Sequence, residues 1–99
     1  MRDTIQVEEL FIDIPKHVAT VKNRKLDLTV TEFKLLALLT QRRGRVQSRD
    51  QLLRDVWGYD NIIDTRTVDT HMRRLREKLG RSARHLDTAR GVGYRFLEE

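Results

Sequence analysis

Apolar residues recur at helical spacing in the middle of the chain, behind a pattern typical of a helix N-terminus. Thr29-Val30-Thr31-Glu32 has the T-x-x-E spacing of a capping box, in which the threonine hydroxyl and the glutamate carboxylate each accept a hydrogen bond from an unpaired amide. The apolar residues that follow are Phe33, Leu35, Leu36, Leu38 and Leu39. They form a wide stripe that predicts a buried central helix, with Gly44 placed to close it.

Two further helices are predicted downstream. A second box, Ser48-Arg49-Asp50-Gln51, begins a short helix that carries apolar residues and ends at Gly58. Its apolar residues are Leu52, Leu53, Val56 and Trp57, and we assign the tryptophan to the core. A third helix is predicted from residues 64–67 to Leu79, closed by Gly80. At 100° per residue, Val68, Met72, Leu75 and Leu79 fall within about 60° of one another, a narrow seam that suits burial.

Short strands are predicted on both sides of the helices. Alternation at Ile5 and Val7 and the run Leu10–Asp13 predict two strands, and Pro15 ends the second. Residues 18–21 are predicted to form a hairpin with residues 26–28, across a turn in which Asn23 accepts a positive φ. After the third helix, residues 86–89 and 94–97 flank Arg90-Gly91-Val92-Gly93, a turn with two glycines. The predicted class is therefore α+β.

The side of the third helix opposite its apolar seam is rich in arginine. It collects Arg66, Thr70, Arg73, Arg74 and Glu77, with His71 and Arg76 on the flanks. A solvated outer face would ordinarily mix charges of both signs, whereas this one has three arginines and one glutamate. The guanidinium fork suits phosphates and guanine edges, and a helix-turn-helix inserts its second helix into the major groove of DNA.

The charge distribution agrees with this interpretation. The chain carries a net charge of +5, but residues 1–65 hold eleven basic and ten acidic side chains. Residues 66–95 hold nine basic and three acidic side chains, so the excess lies in the C-terminal third. Arg90 is predicted at the tip of the terminal hairpin, where a narrow minor groove would attract it.

Several other classes of function are excluded or disfavoured. At 99 residues the chain makes one domain, and without cysteine it has neither disulfides nor thiolate chemistry. His17, His71 and His85 show no metal-binding spacing, and there is no P-loop or nucleophile elbow, so we expect no enzyme, metal or cofactor. With no apolar segment of about 20 residues and no export signal, a cytoplasmic location without membrane contact is expected.

Several motifs together resemble the effector domain of OmpR/PhoB-type response regulators. They are Leu28-Thr29-x-Thr31-Glu32-Phe33-x-Leu35-Leu36, Ser48-Arg49-x-x-Leu52, Val56-Trp57-Gly58, Arg66-Thr67-Val68-Asp69-x-His71-x-Arg73-Arg74-Leu75-Arg76-x-Lys78-Leu79 and Arg90-Gly91-x-Gly93-Tyr94-Arg95-Phe96. The resemblance implies a winged helix-turn-helix with an N-terminal four-stranded antiparallel sheet, three helices and a C-terminal hairpin as the wing. It implies one domain over residues 1–99, with the N-terminal sheet in residues 1–28, the three-helix core in 29–80 and the wing hairpin in 81–99. The receiver domain is expected to be absent. The family often has proline where this chain has Val30, and since the capping box survives we expect little effect.

The resemblance also implies which residues act. Base or phosphate contacts would come from Thr70, His71, Arg73 and Arg74, phosphate contacts from Arg66 and Arg76, and wing contacts from Thr88, Arg90 and Tyr94. For Tyr94 a half-buried ring and a hydroxyl that reaches a phosphate are equally compatible with the sequence. A loop of Tyr59, Asp60, Asn61, Ile62 and Ile63 would contact RNA polymerase, although inward packing of the two isoleucines is also open.

The expected partner is therefore double-stranded DNA with a directly repeated operator. By resemblance, two copies bind it head to tail as a homodimer, the isolated domain is monomeric, and a sensor kinase acts only through the missing receiver domain. Whether the chain is an excised C-terminal half or a stand-alone regulator stays open. The alternative is a winged helix that mediates protein interactions without specific DNA binding, which would keep the apolar seam but not the arginine face.

Overall fold

An antiparallel sheet of four short strands begins the fold. The computed structural model describes residues 3–58 and 64–97. Strands β1 (Thr4–Val7), β2 (Leu10–Asp13), β3 (Val18–Val21) and β4 (Arg24–Lys25) pair in sequence order. Lys22 and Asn23 both have positive φ, 53° and 67°, which is the geometry of a two-residue hairpin turn. The predicted hairpin is present, but its bounds differ: β3 pairs with Arg24–Lys25 directly after this tighter turn, and the Leu26 amide donates to the Ala19 carbonyl oxygen at 2.8 Å.

Helix α1 (Val30–Gln41) is the central helix that the apolar stripe predicts. The capping box is confirmed, because Thr29 Oγ1 accepts from the Glu32 amide at 3.1 Å and Glu32 Oε1 accepts from the Thr29 amide at 2.9 Å. Phe33, Leu35, Leu36 and Leu39 are buried. Gly44 follows the end of the helix, where its amide donates to the carbonyl oxygen of Phe96 at 2.8 Å.

The helix-turn-helix follows. Strand β5 (Gln47–Ser48) leads into helix α2 (Arg49–Leu52), and Ser48 Oγ accepts from the Gln51 amide at 3.1 Å. A π-helical turn (Leu53–Trp57) continues α2 up to Gly58, whose φ is 97°. Helix α3 (Arg66–Leu79) begins after Asp64, whose carboxylate accepts from the Arg66 amide at 2.9 Å. A 3₁₀ helix (Gly80–His85) then leads to the terminal hairpin.

Strands β6 (Leu86–Ala89) and β7 (Gly93–Phe96) form that hairpin, and β7 also pairs with β5, so the second sheet has the order β5-β7-β6. The predicted α3 seam is confirmed as buried: Val68, Met72 and Leu75 have no exposed surface, and Leu79 is nearly as buried. Phe96 and Leu86, one on each strand of the hairpin, are buried in the same core. In the described part of the chain, no helix is both long enough and apolar enough to cross a membrane.

Candidate nucleic-acid interface

Helix α3 turns an arginine-rich face away from the core. Its buried seam fixes the rotation of the helix, and this rotation leaves Arg66, Arg73 and Arg74 exposed. Within residues 3–58 and 64–97, no hydrogen bond or ion pair occupies the guanidinium of Arg73 or Arg74. Each therefore presents unused donors, which can take a phosphate or the edge of a guanine.

The first turn of this face holds a local ion pair. Arg66 Nη2 lies 2.9 Å from Asp64 Oδ2, and both side chains are exposed. The Arg66 side chain and its backbone amide hold the pKa of Asp64 below its ordinary value. Thr70 Oγ1 donates to the Arg66 carbonyl oxygen at 3.3 Å, so its oxygen is still free to accept. An incoming phosphate would compete with Asp64 for Arg66.

His71 lies at the edge of the arginine face and is half-buried. Its Nδ1 is 2.9 Å from the Thr67 carbonyl oxygen, and its ring meets Trp57 edge-on with centroids 5.1 Å apart. A carbonyl oxygen only accepts, so Nδ1 carries the hydrogen in this contact and Nε2 is left for an outside partner. Trp57, predicted to be in the core, is half-buried and packs against it.

The tip of the β6–β7 hairpin presents a second arginine. Arg90 and Gly91 are exposed, and the turn closes where the Val92 amide donates to the Ala89 carbonyl oxygen at 2.9 Å. Gly91 has a φ of 79°, a conformation that favours glycine. In the ranges that the structure describes, the Arg90 side chain has no hydrogen-bond or ion-pair partner. Arg90 thus stands out from the fold on a closed turn.

Two of the predicted contact residues bond to each other. Arg76 Nη2 donates to Thr88 Oγ1 at 2.7 Å and to the Leu86 carbonyl oxygen at 3.3 Å. Arg76 belongs to α3, whereas Thr88 and Leu86 belong to β6. This pair therefore joins the helix to the hairpin.

Tyr94 takes the buried alternative of the two that the sequence leaves open. Only 4% of the residue is exposed, and its hydroxyl donates a hydrogen bond to Asp69 Oδ1. The guanidinium carbons of Arg49 and Arg76 lie 5.3 Å and 5.4 Å from the centroid of its ring. This placement departs from the expected phosphate contact, because the hydroxyl already serves a carboxylate inside the protein.

Asp69 joins three elements, and sequence reasoning did not single it out. Besides Tyr94 on β7, it accepts from Arg49 Nε on α2 at 2.8 Å. Burial raises the pKa of Asp69, but the hydrogen bonds from Tyr94 and Arg49 outweigh this effect and hold it below the ordinary value. We call these five residues, Arg49, Asp69, Arg76, Thr88 and Tyr94, the Asp69 cluster. The signal in the sequence is faint: Asp69 is the one acid among residues 66–76.

The predicted polymerase loop, Tyr59–Ile63, lies outside the described residues. Among the residues that are described, no group of three histidine, aspartate or glutamate side chains is arranged to hold a metal ion.

A helix-turn-helix with a hairpin wing and an arginine-rich second helix defines the winged-helix class of DNA-binding domains. Residues 23–96 match the family described as "Transcriptional regulatory protein, C terminal". The chain belongs to this family as a C-terminal effector domain of the OmpR/PhoB response-regulator type, which confirms the expected fold and class. The family consists of transcriptional regulators and not of enzymes.

Individual relatives agree with this assignment. The transcriptional regulatory protein SrrA of Staphylococcus aureus is 43% identical over 96% of this chain, which spans only 41% of the length of SrrA. The structure of DrrB, an OmpR/PhoB homologue of Thermotoga maritima, matches with a TM-score of 0.89 at 27% identity. The match covers 97% of this chain and 45% of the DrrB chain. The DNA-binding domain of Klebsiella pneumoniae RstA, solved in complex with the RstA box, matches with a TM-score of 0.85 at 28% identity. The match covers 99% of this chain and 100% of the RstA chain.

Proposed function

We propose that this domain binds double-stranded DNA in a sequence-specific manner and thereby regulates transcription. The observation that carries the proposal is the face of α3, whose Arg73 and Arg74 are exposed and have unused donors, above a fully buried seam. An α-helix fits the major groove, and an arginine there binds guanine O6 and N7 in a bidentate manner. The complex of the RstA domain with its DNA box supports the same use of the fold.

We assign the individual contacts to side chains of α3 and of the wing, in the roles that the resemblance to the family implies. Thr70, His71, Arg73 and Arg74 contact base edges or phosphates, and Arg66 contacts a phosphate after it leaves Asp64. Arg90 enters the adjacent minor groove from the tip of the wing. Arg76 and Thr88 lie between these two points and contact the backbone with the donors and acceptors that their mutual bond leaves free.

The larger assembly is also part of the proposal. Two copies bind a directly repeated operator head to tail, and residues 59–63 contact RNA polymerase. The SrrA relative is more than twice as long as this chain, which suits an output domain that a sensor kinase addresses through a separate receiver domain. A cytoplasmic location follows from such a role.

The test is a selection of binding sites from random duplexes. The selected duplex and a scrambled control are then titrated at two salt concentrations. We expect a directly repeated motif, bound about 10³-fold or more above the control. Log K should fall with log[salt] with a slope of about −0.9 for each neutralised phosphate. Weak and equal binding to both duplexes would contradict the proposal and favour the protein-interaction alternative.

Variants sharpen this test. If Arg74 binds a guanine edge, Arg74→Ala should cost about 1–3 kcal/mol and relax the preference at one base pair. Lys34→Ala is the matched control, because Lys34 is an exposed cation on α1 and lines a surface groove with Ile14, His17 and Asp55, none of which belongs to α3 or the wing. Equal losses on the selected and scrambled duplexes would make Arg74 a phosphate contact instead.

A further inference from the structure

We propose that the Asp69 cluster sets the angle between α3 and the wing, and that Asp69 and Tyr94 are positioning residues for DNA recognition. This inference rests on the proposed function. Neither residue needs to touch DNA for this role. They act by holding the wing arginine at a fixed place relative to the reading face of the helix.

Asp69 is where the three elements meet. On α3 it lies between the buried seam and the arginine face, one residue after Val68. Its Oδ1 accepts from Arg49 Nε, at the first residue of α2, and from the Tyr94 hydroxyl on β7. Both bonds are of the stronger kind, because the acceptor is a carboxylate and one donor is a cation.

The second connection runs through the ring of Tyr94. Arg49 and Arg76 lie against this ring at 5.3 Å and 5.4 Å from its centroid, and Arg76 continues to Thr88 at 2.7 Å. Thr88 is the cross-strand partner of Tyr94 in the hairpin. Both strands of the wing are therefore tied to α3 at the same level, and the hairpin cannot turn about its base without breaking one of these contacts.

The position of Arg90 is the reason why the cluster affects DNA binding. Arg90 follows Thr88 by two residues and precedes Tyr94 by four, so it extends beyond the level at which the wing is fastened. A small rotation at that level displaces the tip by a larger amount. Binding groups generally have to be held to within about 0.5 Å and 10–20° to act together. With the cluster intact, α3 and Arg90 meet the two grooves as one rigid unit.

The experiment compares Tyr94→Phe and Asp69→Asn with Asp87→Asn. Tyr94→Phe keeps the ring and its stacked arginines but removes the hydroxyl. Asp87→Asn is the matched control, because it removes the carboxylate charge from the 2.7 Å ion pair with Arg95 within the hairpin and leaves the connection to α3 intact. The double variant Asp69→Asn/Tyr94→Phe tests whether the two residues act as one unit.

Two readouts are needed. The first is the orientation of the β6–β7 amides relative to α3 in the free protein, from residual dipolar couplings. The second is affinity for the selected duplex, with A·T or G·C pairs placed under the wing. We expect Tyr94→Phe to reorient the wing, to bind the A·T duplex about 10-fold more weakly and to lose the A·T preference. The preference read by Arg74 should stay, and the double variant should be no worse than the more severe single variant.

The opposite results would overturn the proposal. These are an unchanged wing orientation in both single variants, a retained A·T preference, or losses equal to those of Asp87→Asn. The couplings are measured without DNA, so they decide about the angle even if the wild-type domain shows no specific binding. In that event the proposed function fails while the structural part of the inference is still judged.

Discussion

At the scale of single residues, Glu32 connects the start of α1 to the last turn of α3. It is 2% exposed, and its Oε1 accepts both from the Thr29 amide at 2.9 Å and from Lys78 Nζ at 2.7 Å. One carboxylate therefore caps α1 and fastens the last turn of α3 to it. A buried carboxylate with such partners stabilises the fold only while it is ionised.

The acid dependence of stability should reveal this role. Burial raises the pKa of Glu32, but the hydrogen bonds from Lys78 and Thr29 outweigh it and hold the pKa below the ordinary value. A lowered pKa stabilises the fold above the ordinary glutamate value of about 4.3, and this contribution is lost as the pH falls further. Urea unfolding between pH 7 and pH 3 should show a smaller loss of unfolding free energy for Glu32→Gln than for the wild type. Glu77→Gln, the same substitution on the exposed face of α3, serves as the control. Equal losses of unfolding free energy for Glu32→Gln and the wild type would contradict this role.

Gly93 is required for close approach, whereas Gly91 is required for backbone conformation. A Cβ at Gly93 would lie 1.9 Å from the Gln47 carbonyl oxygen, and at Gly91 nothing lies within 4 Å. Gly93→Ala must push β5 and β7 apart, so it should cost about 3 kcal/mol, the upper part of the usual overpacking range. Gly91→Ala pays only for its positive φ, about 1–2 kcal/mol. Thermal unfolding should give the lower Tm for Gly93→Ala, and the reverse order would contradict the steric explanation.

At the scale of elements, local patterns predicted most of the fold. The capping box of Thr29 and Glu32 marks the start of α1, and the seam from Val68 to Leu79 gives both the extent of α3 and its buried side. These features follow from hydrogen bonds and periodicity within one turn or one helix. The exposed Arg73, Arg74 and Arg90 of the candidate site follow from the same reasoning, because they lie opposite a buried seam or in a turn.

The features that were missed depend on contacts between distant parts of the chain. Strand β5 has two residues, too few for any alternation, and exists because β7 lies beside it. The bond from Arg49 to Asp69 spans 20 residues, and that from Tyr94 to Asp69 spans 25. Nothing near Tyr94 in the sequence indicates that its hydroxyl points inward. Such pairings are decided by tertiary packing, which one sequence does not reveal.

The wing, as an element, should contribute its own part of DNA selectivity. Arg90→Ala should weaken binding most at sites whose minor groove is narrow and A·T-rich, because that groove has the enhanced negative potential that attracts an arginine. The measurement is a titration of duplexes that differ only in the base pairs under the wing. Arg81→Ala, which removes an exposed cation from the 3₁₀ helix, is the charge-matched control. A loss that does not depend on A·T content would contradict insertion into the minor groove.

At the scale of the whole molecule, ion pairs join the N-terminal sheet to the C-terminal third of the chain. Arg84 bonds to both Glu8 and Glu9, and Ser82 Oγ donates to Glu9 Oε1 at 3.3 Å. The Arg84 guanidinium, with the Glu9 backbone amide, brings the pKa of Glu9 to about 2. The basic excess of residues 66–95 is thus partly used inside the fold, and the cations left on α3 and the wing are those available to DNA.

The spacing of the repeated operator tests the proposed assembly. Two copies that bind head to tail on one face of DNA need repeats about 10–10.5 bp apart, which is one helical turn. Inserting 5 bp between the repeats should abolish cooperative binding, and inserting 10 bp should restore the shared face. Gel-shift titrations of the three duplexes measure this, with a single half-site as the control. Cooperativity that survives the 5 bp insertion would contradict the arrangement.

Helix α3 has its packing residues on one side and its exposed arginines on the other, over the same stretch of chain. The seam residues carry the packing, while Arg73 and Arg74 contribute nothing to the core. Under the proposed function, substitutions on the arginine side of α3 change the target sequence while the seam keeps the protein folded. The same separation makes the domain a suitable scaffold for engineering proteins that bind new operators. Thr70, Arg73 and Arg74 would be varied together, and the seam would be left unchanged.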